Sequence, residues 1–151
     1  MEKEGLQYQT KSMNSYSLPY DQIQALLKQA SLPYQDIKQD HIHFVTKIEE
    51  NTLIGCAAIE IQEEYGLLRS VVVHPDYRTK GVAQELITKL LNYARNQKLH
   101  SLYLLTETAS DYFKKVGFQQ IDRSKAPKPM QKTSEFAELC PTSATCMFLV
   151  L

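Results

Sequence analysis

Neither charge, nor cysteine, nor apolar length is in surplus in this chain of 151 residues. Lysine plus arginine and aspartate plus glutamate balance at 17 each, with no basic run and no basic-aromatic tract, which argues against nucleic acid as a partner. No apolar stretch reaches membrane-spanning length, and residues 1–20 lack the apolar core of a secretory leader. No membrane partner is expected, and the expected location is cytoplasmic. The three cysteines are an odd set, Cys56 within an apolar run and Cys140 and Cys146 near the end. They offer no extracellular disulfide framework, so reduced thiols are expected. Both common nucleotide signatures, Gly-x-x-x-x-Gly-Lys-Ser/Thr and Gly-x-Gly-x-x-Gly, are missing as well. A chain of this length buries about two thirds of its unfolded surface without a disulfide or metal staple, so one domain over residues 1–151 is expected.

What the chain does have is a stretch that changes periodicity twice within residues 70–83, Ser-Val-Val-Val-His-Pro-Asp-Tyr-Arg-Thr-Lys-Gly-Val-Ala. Residues 67–73 are almost continuously apolar and β-branched, as in a strand buried on both faces, and Pro75 then denies the ladder a donor. From Gly81 onward Val82, Leu86, Ile87, Leu90, Leu91 and Ala94 recur at helical spacing to about Gln97. Arg78, Thr79, Lys80 and Gly81 therefore stand at a helix start, where unpaired N–H groups and the peptide dipole favour an anion. Gly81 lets a phosphate approach the backbone, Ala83 keeps the first turn slim, and Arg78 and Lys80 add positive charge.

A strand, Val-x-x-His-Pro, then Arg-x-x-Gly-x-Ala opening a helix resembles the acetyl-CoA motif of the GCN5-related N-acetyltransferase (GNAT) superfamily. A second stretch, Ala109-x-x-Tyr-Phe-Lys-Lys-Val-Gly-Phe118, resembles that family's next helix and its Gly-Phe ending. The resemblance implies an α/β fold of α+β type, a mixed and mainly antiparallel central sheet splayed at the acetyl-CoA site and flanked by helices. It implies acetyl-CoA as cosubstrate, a small-molecule amine as acceptor, and no metal. By the same resemblance, Arg78, Thr79, Lys80, Gly81, Val82 and Ala83 would cradle the pyrophosphate. Val71, Val72 and Val73 would bind the pantetheine arm through main-chain groups, one of which can polarise the thioester carbonyl. Arg69 and Ser70 would face the acceptor, with Arg69 holding a carboxylate in its planar fork. Two positions depart from the family pattern: Phe113 stands where a tyrosine general acid is usual, and Thr106 where an asparagine near the cofactor is frequent. Tyr112, about 100° around the helix from Phe113, is the substitute acid. Glu60, Glu107, His74 and a water chain remain open as the base.

Residues 6–10 suggest an edge strand, and residues 18–30 a helix with Ile23, Leu26 and Leu27 on one face. Tyr20 and Tyr34 are candidate pocket walls. Residues 41–48 and 52–62 read as an antiparallel pair, with His41 and His43 assigned to one face. Residues 101–106 read as a buried strand, with Thr108 as cap of the following helix. Residues 118–123 read as a strand, 124–132 as a loop, 133–140 as a short helix, and 145–151 as a final apolar strand able to dock on a second copy in a homodimer. The ending Phe136-x-x-Leu-Cys-Pro-x-Ser-Ala-x-Cys-Met147, with Leu-Leu-Arg-Ser70 and Tyr-Leu-Leu-Thr106, resembles the arsenic-resistance-operon group of these acetyltransferases. That resemblance implies acetylation of an amino-acid-like or organoarsenical toxin. The alternative is a catalytically weak acyl-CoA or arsenic-responsive sensor, in which Cys140 and Cys146, with Cys56, would bind trivalent arsenic.

Overall fold

The computed structural model describes residues 18–151, so the edge strand expected at residues 6–10 lies outside the described residues. Helix α1 (Tyr20–Gln29) buries Ile23, Leu26 and Leu27 and ends ahead of Pro33. Strands β1 (Ile42–Glu49) and β2 (Thr52–Gln62) form the expected hairpin. Glu50 and Asn51 both take positive φ, 50° and 63°, the left-handed pair that a tight hairpin turn requires. After a second turn comes β3 (Tyr65–Val73), buried along most of its length. Pro75 stops it as expected, and helix α2 (Val82–Asn96) follows. Then come β4 (Ser101–Thr106), α3 (Ser110–Val116), β5 (Gln119–Ile121), α4 (Lys128–Gln131), a π-helical turn (Glu135–Leu139) and β6 (Thr145–Val150).

The strands make one six-stranded sheet in the order β1-β2-β3-β4-β6-β5, antiparallel everywhere except between β3 and β4. Its two faces are covered by different elements. On one, α2 and α3 pack over Ile54, Ala57, Ile59, Leu68, Leu102, Leu104 and Met147. A Cβ at Gly55 would stand 3.0 Å from Val82 and 3.2 Å from Leu86, so the glycine is what lets α2 lie directly on β2. On the other face are two separate apolar clusters. One joins α1 to Ile42, Phe44, Cys56, Ala58 and Val72; the other joins Leu67, Tyr103 and Cys146 to Met130 and Phe136 of the tail.

Several local expectations change. Residues 124–132 are not a plain loop: a 3-10 turn (Arg123–Lys125) and α4 occupy them, and Met130 is fully buried. The short helix expected at 133–140 is instead a π-helical turn, and it buries Glu135. The final strand is not an open edge. β6 lies between β4 and β5, and residues 146–148 are paired on both sides, whereas Leu149 and Val150 pair with β4 alone. Among the described residues, no helix is long and apolar enough to cross a membrane.

Candidate active site

Parallel pairing of β3 with β4 covers only residues 65–67 against 101–103. Beyond Leu67 the two strands part. A β-bulge assists the divergence: two residues of β3, Ser70 and Val71, stand opposite Ala57 alone, and Ser70 takes φ 59°. The opening is a cleft of about 870 Å³. Val71, Val72 and Val73 line one wall, and Leu104, Leu105 and Thr106 with Ala109, Tyr112 and Phe113 line the other.

One end of the cleft reaches the start of α2, where Arg78 and Ala83 line it. The turn there is built from its own neighbours. His74 Nδ1 accepts the Asp76 N–H at 3.1 Å, and Arg78 Nε donates to the Val73 carbonyl at 3.1 Å. Thr79 and Gly81 both adopt left-handed φ, 65° and 81°. A Cβ at Gly81 would meet nothing within 4 Å, so conformation rather than space calls for glycine. Arg78, Thr79, Lys80 and Gly81 are exposed, whereas Val82 is buried in the core beneath. The arrangement sets a helix N-terminus and Arg78 at the cleft mouth, with the Lys80 ammonium nearby in sequence over the Tyr77 ring at 5.6 Å, which suits a phosphate-bearing ligand.

At the middle of the cleft, Thr106 Oγ1 accepts the Ala109 N–H at 2.9 Å. Thr106, not Thr108, thus serves the start of α3, whose own cap residue Ala109 has no side-chain oxygen to offer. Phe113 is buried against Phe118, and Tyr112 lines the same cleft while 37% exposed, with the two rings 5.3 Å apart. Burial pushes the Tyr112 phenol up from its ordinary value. The residue beside the phenylalanine is thus a tyrosine that lines the cleft.

The other end holds Arg69, and here the structure corrects the sequence reading. The guanidinium does not wait for an external oxyanion, because its fork is filled from within the chain. Asp36 takes Nη1 at 2.6 Å and Nη2 at 2.5 Å, Glu60 takes Nη1 at 3.0 Å, and Glu135 stands 3.2 Å from Nε. The Ser70 hydroxyl accepts from the same Nε at 3.2 Å. Arg69 needs these partners because it sits between the two apolar clusters of its sheet face with no side-chain exposure. Burial opposes its charge, but the Asp36, Glu135 and Glu60 carboxylates outweigh burial and push its proton affinity up. Arg69, Ser70 and Glu135 line the cleft, together with Tyr34, Leu139 and Cys140.

Glu135 is the cleft-lining charged residue that sequence reasoning missed. Burial pushes its carboxyl up to about 7; Arg69 opposes the rise, and Asp36 and Glu60 add to it. The available signal was Arg69 itself, since a charge amid apolar residues demands a carboxylate, but Glu135 is remote in sequence and Asp36 falls in a turn. Of the bases left open, Glu60 is held between Arg69 and His41, whose Nε2 is 3.0 Å away. Glu107 lines the cleft and is exposed, and the His74 ring is engaged in its own turn.

Other candidates fall away from the site. Tyr20 packs edge-on against Phe44 at 6.4 Å and is not a cleft wall, whereas Tyr34 is one. His41 and His43 do not share a face: His41 meets Glu60, and the His43 ring lies 5.3 Å from Tyr93 of α2. Among the described residues no three His, Cys, Asp or Glu could hold a metal ion together. The three thiols do not gather either, because Cys56 and Cys146 belong to different apolar clusters. Burial pushes Cys56 and Cys140 up to about 12 and Cys146 to about 11, so none offers a thiolate at neutral pH.

A sheet splayed beside its central strand, with a helix N-terminus at one end of the opening, defines an acyltransferase-type fold of the kind that seats a CoA thioester. The sequence profile of the Acetyltransferase (GNAT) family matches residues 9–118, more than half of the chain. The chain belongs to that family, and the expected mixed, mainly antiparallel fold is borne out. The amino-acid acetyltransferase of Edwardsiella ictaluri is 35% identical over 89 residues, covering 57% of this chain and 20% of that protein. The chain thus spans about a fifth of the length of the curated relatives it matches. Among solved structures, N-acetylglutamate synthase from Neisseria gonorrhoeae, complexed with coenzyme A and N-acetyl-glutamate, superposes with a TM-score of 0.73 at 18% identity. That match covers 90% of this chain and 34% of the synthase. A GNAT-family acetyltransferase from Staphylococcus aureus Mu50 gives a TM-score of 0.73 at 15% identity, covering 90% of this chain and 96% of that one.

Proposed function

We propose that this protein transfers the acetyl group of acetyl-CoA to the amine of a small amino-acid-like acceptor by direct attack. The observation that carries the reading is the continuous cleft from the Gly81 turn, through the β3–β4 splay, to Ser70 and Tyr34. A phosphate-favouring helix start, an unpaired stretch of strand and a polar chamber follow one another in the order of pyrophosphate, pantetheine and acceptor. In this reading Arg78, Thr79, Lys80, Gly81, Val82 and Ala83 form the pyrophosphate turn, and the main chain of residues 71–73 holds the pantetheine and polarises the thioester carbonyl. Thr106, whose oxygen already accepts from Ala109, offers its hydroxyl proton to the cofactor. Tyr112 protonates the departing thiolate in place of Phe113, and Ser70 faces the acceptor.

An amino acid as acceptor is supported by the matched relatives, which are amino-acid acetyltransferases. An organoarsenical amine is the narrower acceptor suggested by the tail motif. A second reading, a sensor that binds acetyl-CoA without turnover, draws on the burial of Phe113 at the usual acid position. Release of free CoA thiol, measured against amino acids, other small amines and amine-bearing organoarsenicals, separates the readings. Turnover on an amino acid, lost in Tyr112→Phe by roughly 10²-fold, is the expected result. Tight acetyl-CoA binding with no turnover would favour the sensor, and absence of acetyl-CoA binding would sink both.

A further inference from the structure

An aliphatic amine is an ammonium ion at neutral pH and must lose a proton before its lone pair can attack a thioester. If the protein is the acetyltransferase proposed above, some group at the acceptor end of the cleft has to take that proton. Arg69 is a committed cation, Cys140 holds its proton to about 12 because of burial and the nearby Glu135, and Tyr112 is a donor pushed up by burial. Glu107 is exposed at the rim, where water competes for the amine.

We propose that Glu135, carried into the cleft wall by the π-helical turn, is the base that receives the acceptor's ammonium and takes its proton. Three carboxylates face one guanidinium, and they do not share it equally. Asp36 occupies both terminal nitrogens and Glu60 also engages Nη1, whereas Glu135 has a single contact at Nε, with the Cys140 thiol donating to its other oxygen at 3.6 Å. Of the three, Glu135 is the one that lines the cleft. The cluster's surplus negative charge therefore meets the acceptor at Glu135. The charged and titratable groups around it are Arg69 from β3, Asp36 from the turn after α1, Glu60 from β2 with His41 behind it, Cys140 from the same turn, and Arg123, whose guanidinium holds the Phe136 and Cys140 carbonyls of that turn. Burial, with Asp36 and Glu60 adding and Arg69 opposing, sets the carboxyl near 7, so at neutral pH it can both accept a proton and release it to water.

One ammonium proton passes to the Glu135 carboxylate, and the freed lone pair forms a C–N bond at the thioester carbonyl carbon. The C–S bond then breaks, and the second proton lost from nitrogen balances the one gained by the thiolate. The products are the amide, CoA thiol and protonated Glu135, which returns its proton to solvent.

The test is the pH profile of kcat/KM for the full chain on its best amine, with Glu135→Gln in parallel. Glutamine keeps an oxygen for Arg69 Nε but cannot take the proton. The wild-type profile is expected to rise to about 7 and then level off, because the protein binds the abundant ammonium form. The variant should lose roughly 10²–10³-fold at pH 7 and climb tenfold per pH unit toward the amine's own pKa, since only free amine then reacts. Its acetyl-CoA affinity should stay within about twofold, which reports an intact fold. A wild-type profile that climbs with the free amine and does not level off above 7 would overturn the proposal without any variant, as would superposable wild-type and Glu135→Gln profiles. Failure of the wild type to acetylate any amine would overturn the acetyltransferase reading, and this proposal with it.

Discussion

The two ends of the cleft are built in opposite ways. The end at α2 is local: Val73, His74, Arg78 and Gly81 lie within nine residues of one another and hold their turn by short-range hydrogen bonds. The acceptor end is assembled from afar. Asp36, Glu60, Arg69 and Glu135 come from a turn, two strands and the tail, and meet with almost no side-chain exposure. A local anion turn can be exposed and individually dispensable to folding, because each backbone group there is solvated or paired nearby. A buried charge cluster is mutually dependent, since removal of any member leaves the others uncompensated.

That contrast is open to direct challenge. Its largest expected effect is at Arg69. Arg69→Ala strands three buried carboxylates and should destabilise the fold by about 3–5 kcal/mol, read from urea denaturation at pH 7. A variant as stable as the wild type would show that the cluster is not structural. The substitution is accordingly a poor probe of acceptor binding, because loss of turnover would follow from loss of the fold.

Next in size is the pH dependence of stability. The folded-state carboxyl of Glu135 is raised from 4.5 to about 7, so the native state binds more protons than the unfolded chain between those values. The associated stability is fully present below about 4.5 and is lost as pH rises through about 7, a total on the order of 3 kcal/mol. Denaturation series between pH 5 and 8 should therefore show stability falling with pH from this group, and Glu135→Gln should flatten the slope. An unchanged slope in the variant would assign the dependence elsewhere.

The smallest effect belongs to the local end. Gly81→Ala meets no neighbour within 4 Å, so its cost is that of a left-handed backbone alone, about 1 kcal/mol. Acetyl-CoA affinity, measured by calorimetry, should fall more than stability does. The reverse order would mean that the turn serves folding rather than the ligand.

Legibility followed the same division. The strand ending at Val73, the stop at Pro75, the helix opening after Gly81 and its apolar stripe could all be read, because β periodicity, a missing donor and a 3.6-residue repeat are properties of contiguous residues. The family resemblance rested on the same local turn. Arg69 is legible as a charge in need of a partner, but nothing along the chain says that Asp36, Glu60 and Glu135 come together to supply it. Alternation over residues 41–48 puts His41 and His43 on one face, but the strand begins at Ile42 and His41 lies outside it. The final strand looked like a free edge because an apolar run does not say which neighbours flank it.

Sequence alone thus determined the secondary elements around the α2 turn, the apolar faces that bury α1 and α2, and the kind of ligand a positive helix start attracts. Each depends on forces acting within a few residues along the chain. Tertiary structure alone decided that β6 is interior, that Tyr112 reaches the cleft beside Phe113, and that Arg69 is neutralised from inside by Asp36, Glu60 and Glu135. Those outcomes depend on electrostatics and packing between distant segments, which act through space once water is excluded and leave no periodicity behind in the chain.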